Sequence, residues 1–497
     1  MHKRIVVSGW GQVSQGKEVI DTIQDPLGLM AQAAVRAQEK NGFDILEKID
    51  GIMTVMTMSH YYPDAARQLA QKIKATPRFT HTSGIGGESP QNLINKASGM
   101  IARGELETIL IAGAETYCPR IKNPARTDNA LFQGLPESYK DDDIIGATEL
   151  ELRHGMSQPI HGFPLFETAL WAESGLDLDA YLMKLGKLWS QHSLIAANHP
   201  DAWSKKRYSA AEIIKITPSN RMIAFPYPKR MNPFVTVDLG AAIILMTEEK
   251  AQRHRHKKSR SVYFVGGGYA KDRQRFMVEK SSFTNSPPLK AAVEKALQRS
   301  ALSLEEIEAF DIYSCFPCAV GMALKMLGLK QSDPRPFTVT GGLGFFGGPG
   351  NNYSLHAVAT MVEMIAEGKI NNGLVTALGW FMHKHAAGIY SAFPTDTDLR
   401  QHDLDDAKAP LIGSQPVPIA GKVTGKGYIE TYTVIYKKDG TPDYSVIYGK
   451  TEKDLRFIAN SNTDLETITA LTTQNQVGKA VQFRFDNQEK LNVAYLL

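Results

Sequence analysis

Phe337-Thr338-Val339-Thr340-Gly341-Gly342-Leu343-Gly344-Phe345-Phe346-Gly347-Gly348-Pro349-Gly350-Asn351-Asn352 is the stretch whose reading decides the fold. Six glycines, one proline and two asparagines separate a strand-like run from an apolar helix that opens near Tyr353. Glycine at this density lets the main chain take positive φ and come close to another backbone or a ligand. Two uses follow. Amides at the start of the next helix can hold an anionic or polarised oxygen, or the loop is a tight packing turn between helices. No Lys-Ser or Lys-Thr pair follows, so it is not a P-loop. The dinucleotide fingerprint fails as well, because glycines continue past it and no acidic residue ends the next strand where that pattern needs one.

Working outward from the loop exposes a repeat. Around it the pattern predicts a strand at 261–268, a helix at 287–299, a short 304–308 segment, a strand at 309–313 and a helix at 319–327. A helix at 354–367 and a strand at 374–379 follow the loop. The same order occurs earlier: strand 3–8, helix 26–39, segment 46–50, strand 51–55, helix 64–73, then 79–84. A glycine turn, a helix at 90–103 and a strand at 108–113 complete it, and Asp25 with Pro26 starts the first helix as cap and first-turn proline. Leu46 matches Leu304 and Phe79 matches Phe337, both 258 positions apart. A register kept over such a span indicates two homologous halves.

Alternating strands and helices predict mixed or parallel sheets covered by helices. The helix after each glycine turn is apolar beyond one stripe: Leu93, Ile94, Ala97, Met100 and Ile101 in one, Leu355, Val358, Ala359, Val362 and Ile365 in the other. These two helices are expected to face each other at the centre. Residues 117–233, with a helical patch at 180–197, exceed what the repeat needs and read as an insertion that covers the site. Residues 396–406 are acidic and polar, a linker signal. From 421 the pattern is β, with strands at 428–436, 444–449 and 481–485 and a turn at Lys438-Asp439-Gly440, which predicts a small barrel. The expected units are 1–255, 256–395 and 410–497.

Composition limits the rest. A chain of 497 residues has room for two to four domains, and 43% hydrophobic with 22% charged residues is ordinary for a globular protein. The formal charge of +4 is small for the size, and no nucleic-acid partner is expected. His254-Arg255-His256-Lys257-Lys258-Ser259-Arg260 is the one dense basic run, either a solvated inter-domain segment or a contact for an anionic ligand or nucleic acid. No stretch approaches the ~20 apolar residues of a membrane span. The start, Lys3-Arg4 then Ile5 to Trp10, is too short for a signal-peptide core, and three cysteines build no disulfide framework, so a cytoplasmic setting is expected.

Specific residues carry a family resemblance. Gly341-Gly342 with Gly347-Gly348-Pro349-Gly350 resembles the Gly-Gly…Gly-His-Pro-x-Gly loop of the thiolase superfamily. Asp311-Ile312-Tyr313-Ser314-Cys315-Phe316 resembles its Asn-Glu-Ala-Phe motif, or the His-Asp-Cys-Phe form of the sterol-carrier-linked thiolases. Ile101 to Gly104 with Ala112 to Glu115 is similar to the helix and strand after the thiolase nucleophile, and Val237 to Ala242 to the Asp-Gly-Ala-Ala segment closing the first half. The resemblance spans about residues 1–390 and is nearest to the type-one thiolase-like and sterol-carrier-type acetyl-CoA acetyltransferases. It implies a duplicated α/β thiolase fold of αβαβα layers with two pseudo-symmetric halves, plus a C-terminal OB-like barrel, to which Gly427 to Thr433 is similar.

The same resemblance implies an acyl-CoA acyltransferase of lipid metabolism, with the coenzyme A thioester as substrate, no separate cofactor, and a homodimer formed through the first half. The alternative is a non-catalytic acyl-CoA-binding or complex-forming protein. Family members attack the thioester with a cysteine at the start of the first core helix, where amide dipoles lower its pKa. Gly87 stands there in this chain, and Ser89, two residues on, reads as an N-cap before Pro90. Gly348 replaces the loop histidine, and neither cysteine nor asparagine stands near Leu378, so the Cys/His/Cys set is unmatched. The implied oxyanion site is the backbone around Gly347, Gly348, Pro349, Gly350 and Gly379. Tyr313 or His385 would supply protons, with Cys315 as stand-in nucleophile.

Other constellations have two readings each. Cys315-Phe316-Pro317-Cys318 fits a dithiol redox motif, Cys315 lying at a strand end before a helix that can lower its pKa, or else two ordinary neighbours. His383-Lys384-His385 reads as a catalytic or CoA-phosphate group or as a surface loop, and His356 as a hydrogen-bonded core histidine. Cys118, His154 and His161 are too dispersed for zinc, and no metal is expected.

Overall fold

A computed structural model describes residues 3–16, 24–41, 44–117, 146–253, 260–401 and 409–497. Cys118, most of the basic run 254–260, part of the 396–406 linker and residues 118–145 of the insertion lie outside the described residues. The strands are β1 Ile5–Ser14, β2 Gly51–Thr54, β3 Phe79–Thr82, β4 Thr108–Thr116, β5 Met222–Ala224, β6 Tyr227–Pro228 and β7 Asp238–Thr247. Then come β8 Tyr263–Asp272, β9 Ala309–Asp311, β10 Asn372–Gly379, β11 Lys384–Ser391 and β12 Leu411–Ile412. The last five are β13 Gly425–Tyr436, β14 Pro442–Thr451, β15 Arg456–Ser461, β16 Ala480–Asp486 and β17 Leu491–Leu496.

The core sheet runs β3-β2-β4-β7-β1-β8-β11-β10-β9, and its pairing senses repeat the duplication. In the first half β2 is parallel to β3 and β4, β4 antiparallel to β7, and β7 antiparallel to β1. In the second, β9 is parallel to β10, β10 antiparallel to β11, and β11 antiparallel to β8. The halves meet where β1 and β8 pair antiparallel, Ile5 opposite Phe264 and Val6 opposite Tyr263. One copy departs from its twin. Residues 337–340, the counterpart of β3, form no named strand, although Ile312 N still donates to Phe337 O at 2.9 Å. The cause is local: the Asp311 carboxylate takes the Val339 amide at 2.9 Å, diverting that donor from the ladder, and also the Thr338 hydroxyl at 2.9 Å.

The helices Ser89–Arg103 and Tyr353–Ala366 pack together at the centre, with Ser354 Oγ donating to Gly87 O at 3.1 Å. Residues 89–101 of the first are all buried, polar ones included. Those polar groups are paired: Asn95 Nδ2 donates to Gly268 O at 3.1 Å, and Tyr390 Oη to Gln91 Oε1 at 2.8 Å. Ser89 corrects one expectation. It is the first helical residue rather than the cap, and its hydroxyl donates back to Gly84 O at 3.0 Å, while Glu88 holds the cap position without a side-chain capping bond.

The insertion is a layer with two working faces. Its helix Leu178–Asn198 lies on the glycine loop, and a Cβ built at Gly341, where φ is 105°, would sit 2.5 Å from Ala196 N. Its helix Pro159–Ser174 lies on the C-terminal barrel, where Thr168 Oγ1 and Thr431 Oγ1 are 2.7 Å apart. That barrel closes in the order β14-β15-β17-β16-β13, with β13 pairing β14 and helix Leu465–Thr473 between β15 and β16. Arg456, 0% exposed, clasps it to the core: Nη2 donates to Lys280 O at 2.8 Å, Nε pairs with Glu430 at 2.6 Å, and the guanidinium lies 4.9 Å from the Phe283 ring. Among the described residues no helix is long and apolar enough to cross a membrane.

Candidate active site

The glycine loop is shaped from both ends. Asp311, at the end of β9, also accepts the Tyr353 hydroxyl at 3.0 Å, and burial still pushes its carboxyl up to about 6. Beyond it Gly342 (φ 78°) fits under the insertion helix, where a Cβ would meet Ser314 Oγ at 2.5 Å and His192 Cδ2 at 2.9 Å. Here the packing-turn reading holds. Further along, Gly348 N donates to Phe234 O at 2.9 Å and Gly350 N to Gly348 O at 2.8 Å, while Pro349 has no N–H. The amide cradle expected at Gly348–Gly350 is therefore committed to the fold in this conformation. Asn351 and Asn352 instead cross to the other half. Asn351 accepts Gly86 N at 3.0 Å and donates to Met56 O at 2.9 Å, and Asn352 donates to Gly113 O at 2.7 Å.

Those bonds hold the turn Gly86-Gly87-Glu88 at the tip of the first core helix. A Cβ at Gly87 would lie 2.2 Å from Tyr313 Oη and 2.6 Å from Leu378 O. The phenol thus fills the space a side chain at Gly87 would need. Tyr313 is fixed there by its amide on Thr376 Oγ1 (3.0 Å) and by an edge-on contact with Tyr353, 5.5 Å between centroids. Burial first, then the nearby Cys315 and Glu88, hold the phenol well above its ordinary pKa, so it keeps its proton. Glu88, 4% exposed, lays its carboxyl between two further glycines: a Cβ at Gly86 or at Gly379 would meet its Oε2 at 1.9 Å. Sequence reasoning missed Glu88. Its signal was an acid directly after the position where the family keeps its nucleophile.

The cysteines differ from expectation. Cys315 is buried, and burial pushes its thiol far above the usual range instead of lowering it. Cys318 Sγ donates to Phe163 O at 3.4 Å, and burial, then Glu167, raise it well above as well. Both thiols are free, in an aromatic setting where Phe316 stacks on Phe163 at 4.5 Å. His383, Lys384 and His385 are all buried, which removes the surface-loop reading. His385 Nε2 lies 3.0 Å from Ser286 Oγ, and burial takes its pKa down to about 3, leaving a neutral ring. His356 pairs through Nδ1 with Gln12 Oε1 at 2.9 Å, as a core histidine does. His154 faces Leu150 O at 2.8 Å and His161 faces Gly155 O at 3.0 Å. Among the described residues no cluster could hold a metal.

One buried carboxyl beside the glycine loop gives a pH test. Glu115 accepts Met58 N and Ser59 N, each at 2.7 Å, beneath Gly350, and burial raises it to about 7. A raised acid means that the folded chain holds a proton the unfolded chain has lost, so this contribution to stability falls as pH rises between about 4.5 and 7. The stability of wild type minus Glu115→Gln is expected to drop by about 3 kcal/mol across that window. Urea unfolding of both proteins at pH 4.5 and pH 7.5 checks it, and a difference that grows with pH contradicts it.

Comparison with known proteins agrees with this architecture. Residues 410–488 match the family model described as the thiolase-like protein type 1 additional C-terminal domain. A solved monomeric SCP2-thiolase-like protein type 1 from Mycobacterium smegmatis is 30% identical, with 99% of each chain covered and a TM-score of 0.82. The Ltp2-ChsH2(DUF35) aldolase is 16% identical over 80% of this chain and 98% of its own, TM-score 0.62. An acetyl-CoA acetyltransferase from Syntrophomonas wolfei is 16% identical over 79% of this chain and all of its own, TM-score 0.57. The cytosolic acetyl-CoA acetyltransferase of Gibberella zeae is 23% identical over 299 residues, 57% of this chain and 70% of that protein.

Proposed function

Because this chain belongs to the SCP2-thiolase-like proteins of type one, we propose that it binds a coenzyme A thioester between its halves without loading the acyl group onto a cysteine. The observation that carries this reading is the Tyr313 phenol, standing 2.2 Å from where a Gly87 side chain would begin. An acyl-enzyme needs an accessible thiolate, or another activated nucleophile, at that point. The two described cysteines are buried, protonated and elsewhere. Acetyl-CoA acetyltransferase activity, the one named for the acetyltransferase relatives, is therefore the less supported reading for this chain. The binding alternative fits the residues better.

The unit division follows the same reading: 1–255 and 256–395 as the paired halves, 410–497 as the added barrel. Its strand order, with a helix between the third and fourth strands, supports an OB-like module. The solved relative is described as monomeric, and we extend that state to this chain in place of a homodimer. The cytosolic relative supports a cytosolic setting. Incubation with acetyl-CoA or acetoacetyl-CoA followed by intact-mass spectrometry is expected to show no acetyl adduct, while equilibrium dialysis shows retained acetyl-CoA. A stable adduct on Cys315 would reverse the reading, and absence of binding would end it.

A further inference from the structure

The insertion carries a charge imbalance that the cleft does not use. Between residues 180 and 237 nine basic side chains stand against two acidic ones, Asp201 and Glu212, a local +7 in a chain whose net charge is +4. Seven of the nine are exposed and two half-buried. Among the described residues none of them meets a carboxylate at ion-pair distance, and Asp201 is already engaged by Arg36 at 3.8 Å. The cations share one outer surface. Helix Leu178–Asn198, whose inner side lies on the glycine loop, shows Lys184, Lys187, Gln191, Leu194 and Asn198 to water, spaced three and four apart along about 21 Å. Residues 205–216 run beside that stripe: Ser190 Oγ donates to Tyr208 O at 2.7 Å, and Arg207 Nη2 to Asn198 Oδ1 at 2.9 Å. The Arg230 guanidinium and the Lys206 ammonium lie 4.5 and 4.9 Å from the Tyr208 ring. Leu194 and Ile216, 44% and 51% exposed, sit among these cations.

We propose that this outer surface of the insertion docks the protein peripherally on an anionic lipid surface. Unpaired like charges held together repel one another and weaken the folded chain, and a plane of phosphate headgroups removes that repulsion. The spread of the charges selects a plane over a point. A small phosphate-bearing molecule engages a few cations at one spot, whereas these extend over the whole length of the helix stripe. The aliphatic residues select lipid over a solvated polyanion. Nucleic acid gains nothing from Leu194 and Ile216, while the boundary between headgroups and acyl chains buries aliphatic side chains and pairs with the surrounding cations at once. Long lysine stems suit the same boundary, since their methylenes lie along apolar matter and their ammonium groups stay with phosphate. No spanning helix is required, and the inference is independent of the thioester reading because it uses no residue of the Gly86-Gly87-Glu88 turn.

The test is flotation of the full chain with vesicles of phosphatidylcholine alone or of equal parts phosphatidylcholine and phosphatidylglycerol. Wild type is expected to bind the mixed vesicles at least about 100-fold more tightly than the neutral ones. That preference should vanish on going from about 0.1 M to about 1 M salt, as the screening length falls from about 10 Å to about 3 Å. The triple variant Lys187→Gln, Lys206→Gln, Lys215→Gln removes three ammonium groups that make no hydrogen bond among the described residues. It should weaken binding about 100-fold, about fivefold per cation, and Leu194→Ser with Ile216→Ser about tenfold. Binding to neither vesicle, equal binding to both, or unchanged binding by the triple variant overturns the inference. If a variant does not fold, the wild-type comparison of vesicles and salt still decides. Undiminished binding by Leu194→Ser with Ile216→Ser, together with release from the vesicles by a single-stranded oligonucleotide, would assign the surface to a solvated polyanion instead. Release by acetyl-CoA would show these cations holding its phosphates, and overturns the lipid assignment too.

Discussion

Gly87→Cys is expected to give a destabilised protein that still forms no acyl-enzyme. The new Cβ would start 2.2 Å from Tyr313 Oη and 2.6 Å from the main-chain oxygen of Leu378. Tyr313 is held by its backbone amide on Thr376 Oγ1 and by its ring against Tyr353, and the backbone oxygen of Leu378 cannot rotate away, so the strain must be taken up by shifting β10 or the helix tip. Overpacking of this kind costs about 3 kcal/mol at its upper end. Replacing Tyr313 as well frees the space. The double variant Gly87→Cys, Tyr313→Ala is the one expected to take an acetyl group from acetyl-CoA, since its thiol would then stand at the amino end of a core helix, where amide dipoles favour the thiolate. Urea unfolding and intact-mass spectrometry of the single and double variants decide it. A single Gly87→Cys protein that acylates at wild-type stability would show that Tyr313 does not own that space.

Arg456→Ala is expected to cost about 3 kcal/mol and to loosen the barrel before the core. Truncation leaves Glu430 without its 2.6 Å partner and strips the carbonyl of Lys280 of a 2.8 Å donor. Breaking a buried pair by removing one member costs about 3–5 kcal/mol, and the Glu430 side chain, 22% exposed, puts this case at the lower end. The guanidinium joins the barrel to residues 278–283, so the opening is local first. Limited proteolysis should then release a fragment cut between 409 and 424 at a rate well above wild type. Arg456→Met, which keeps the stem against Phe283 but not the charge, is expected to fall between the two. Simultaneous loss of both units in one transition, at an unchanged urea midpoint, would contradict the clasp.

Much of the architecture was legible because its signals are local. The Asp25 cap was read from the residue before Pro26, and Asp25 Oδ1 indeed takes Gly28 N at 2.8 Å. The repeat was read from matched spacings, and the sheet order of the two halves repeats it. The breadth of apolar residues on both core helices announced their burial, since a helix surrounded by protein has no face left for water. Hydrophobic period, capping and register depend on near neighbours in the chain, so sequence alone determined them.

The site is a different kind of fact. Glycine density along 341–350 was plain, but whether it cradled a ligand or seated a helix turned on where Ala196 and His192 came to lie. The cysteine pair had the spacing of a reactive motif, yet burial pushes both thiols up instead of down, beside the stacked rings of Phe163 and Phe316. Glu88 and Tyr313 came to lie on one turn only when strands and loops from both halves closed around it. Side-chain volume and desolvation are set by groups distant in sequence and adjacent in space. Composition and motif therefore determined the family scaffold, and tertiary packing alone decided what occupies the place of its nucleophile.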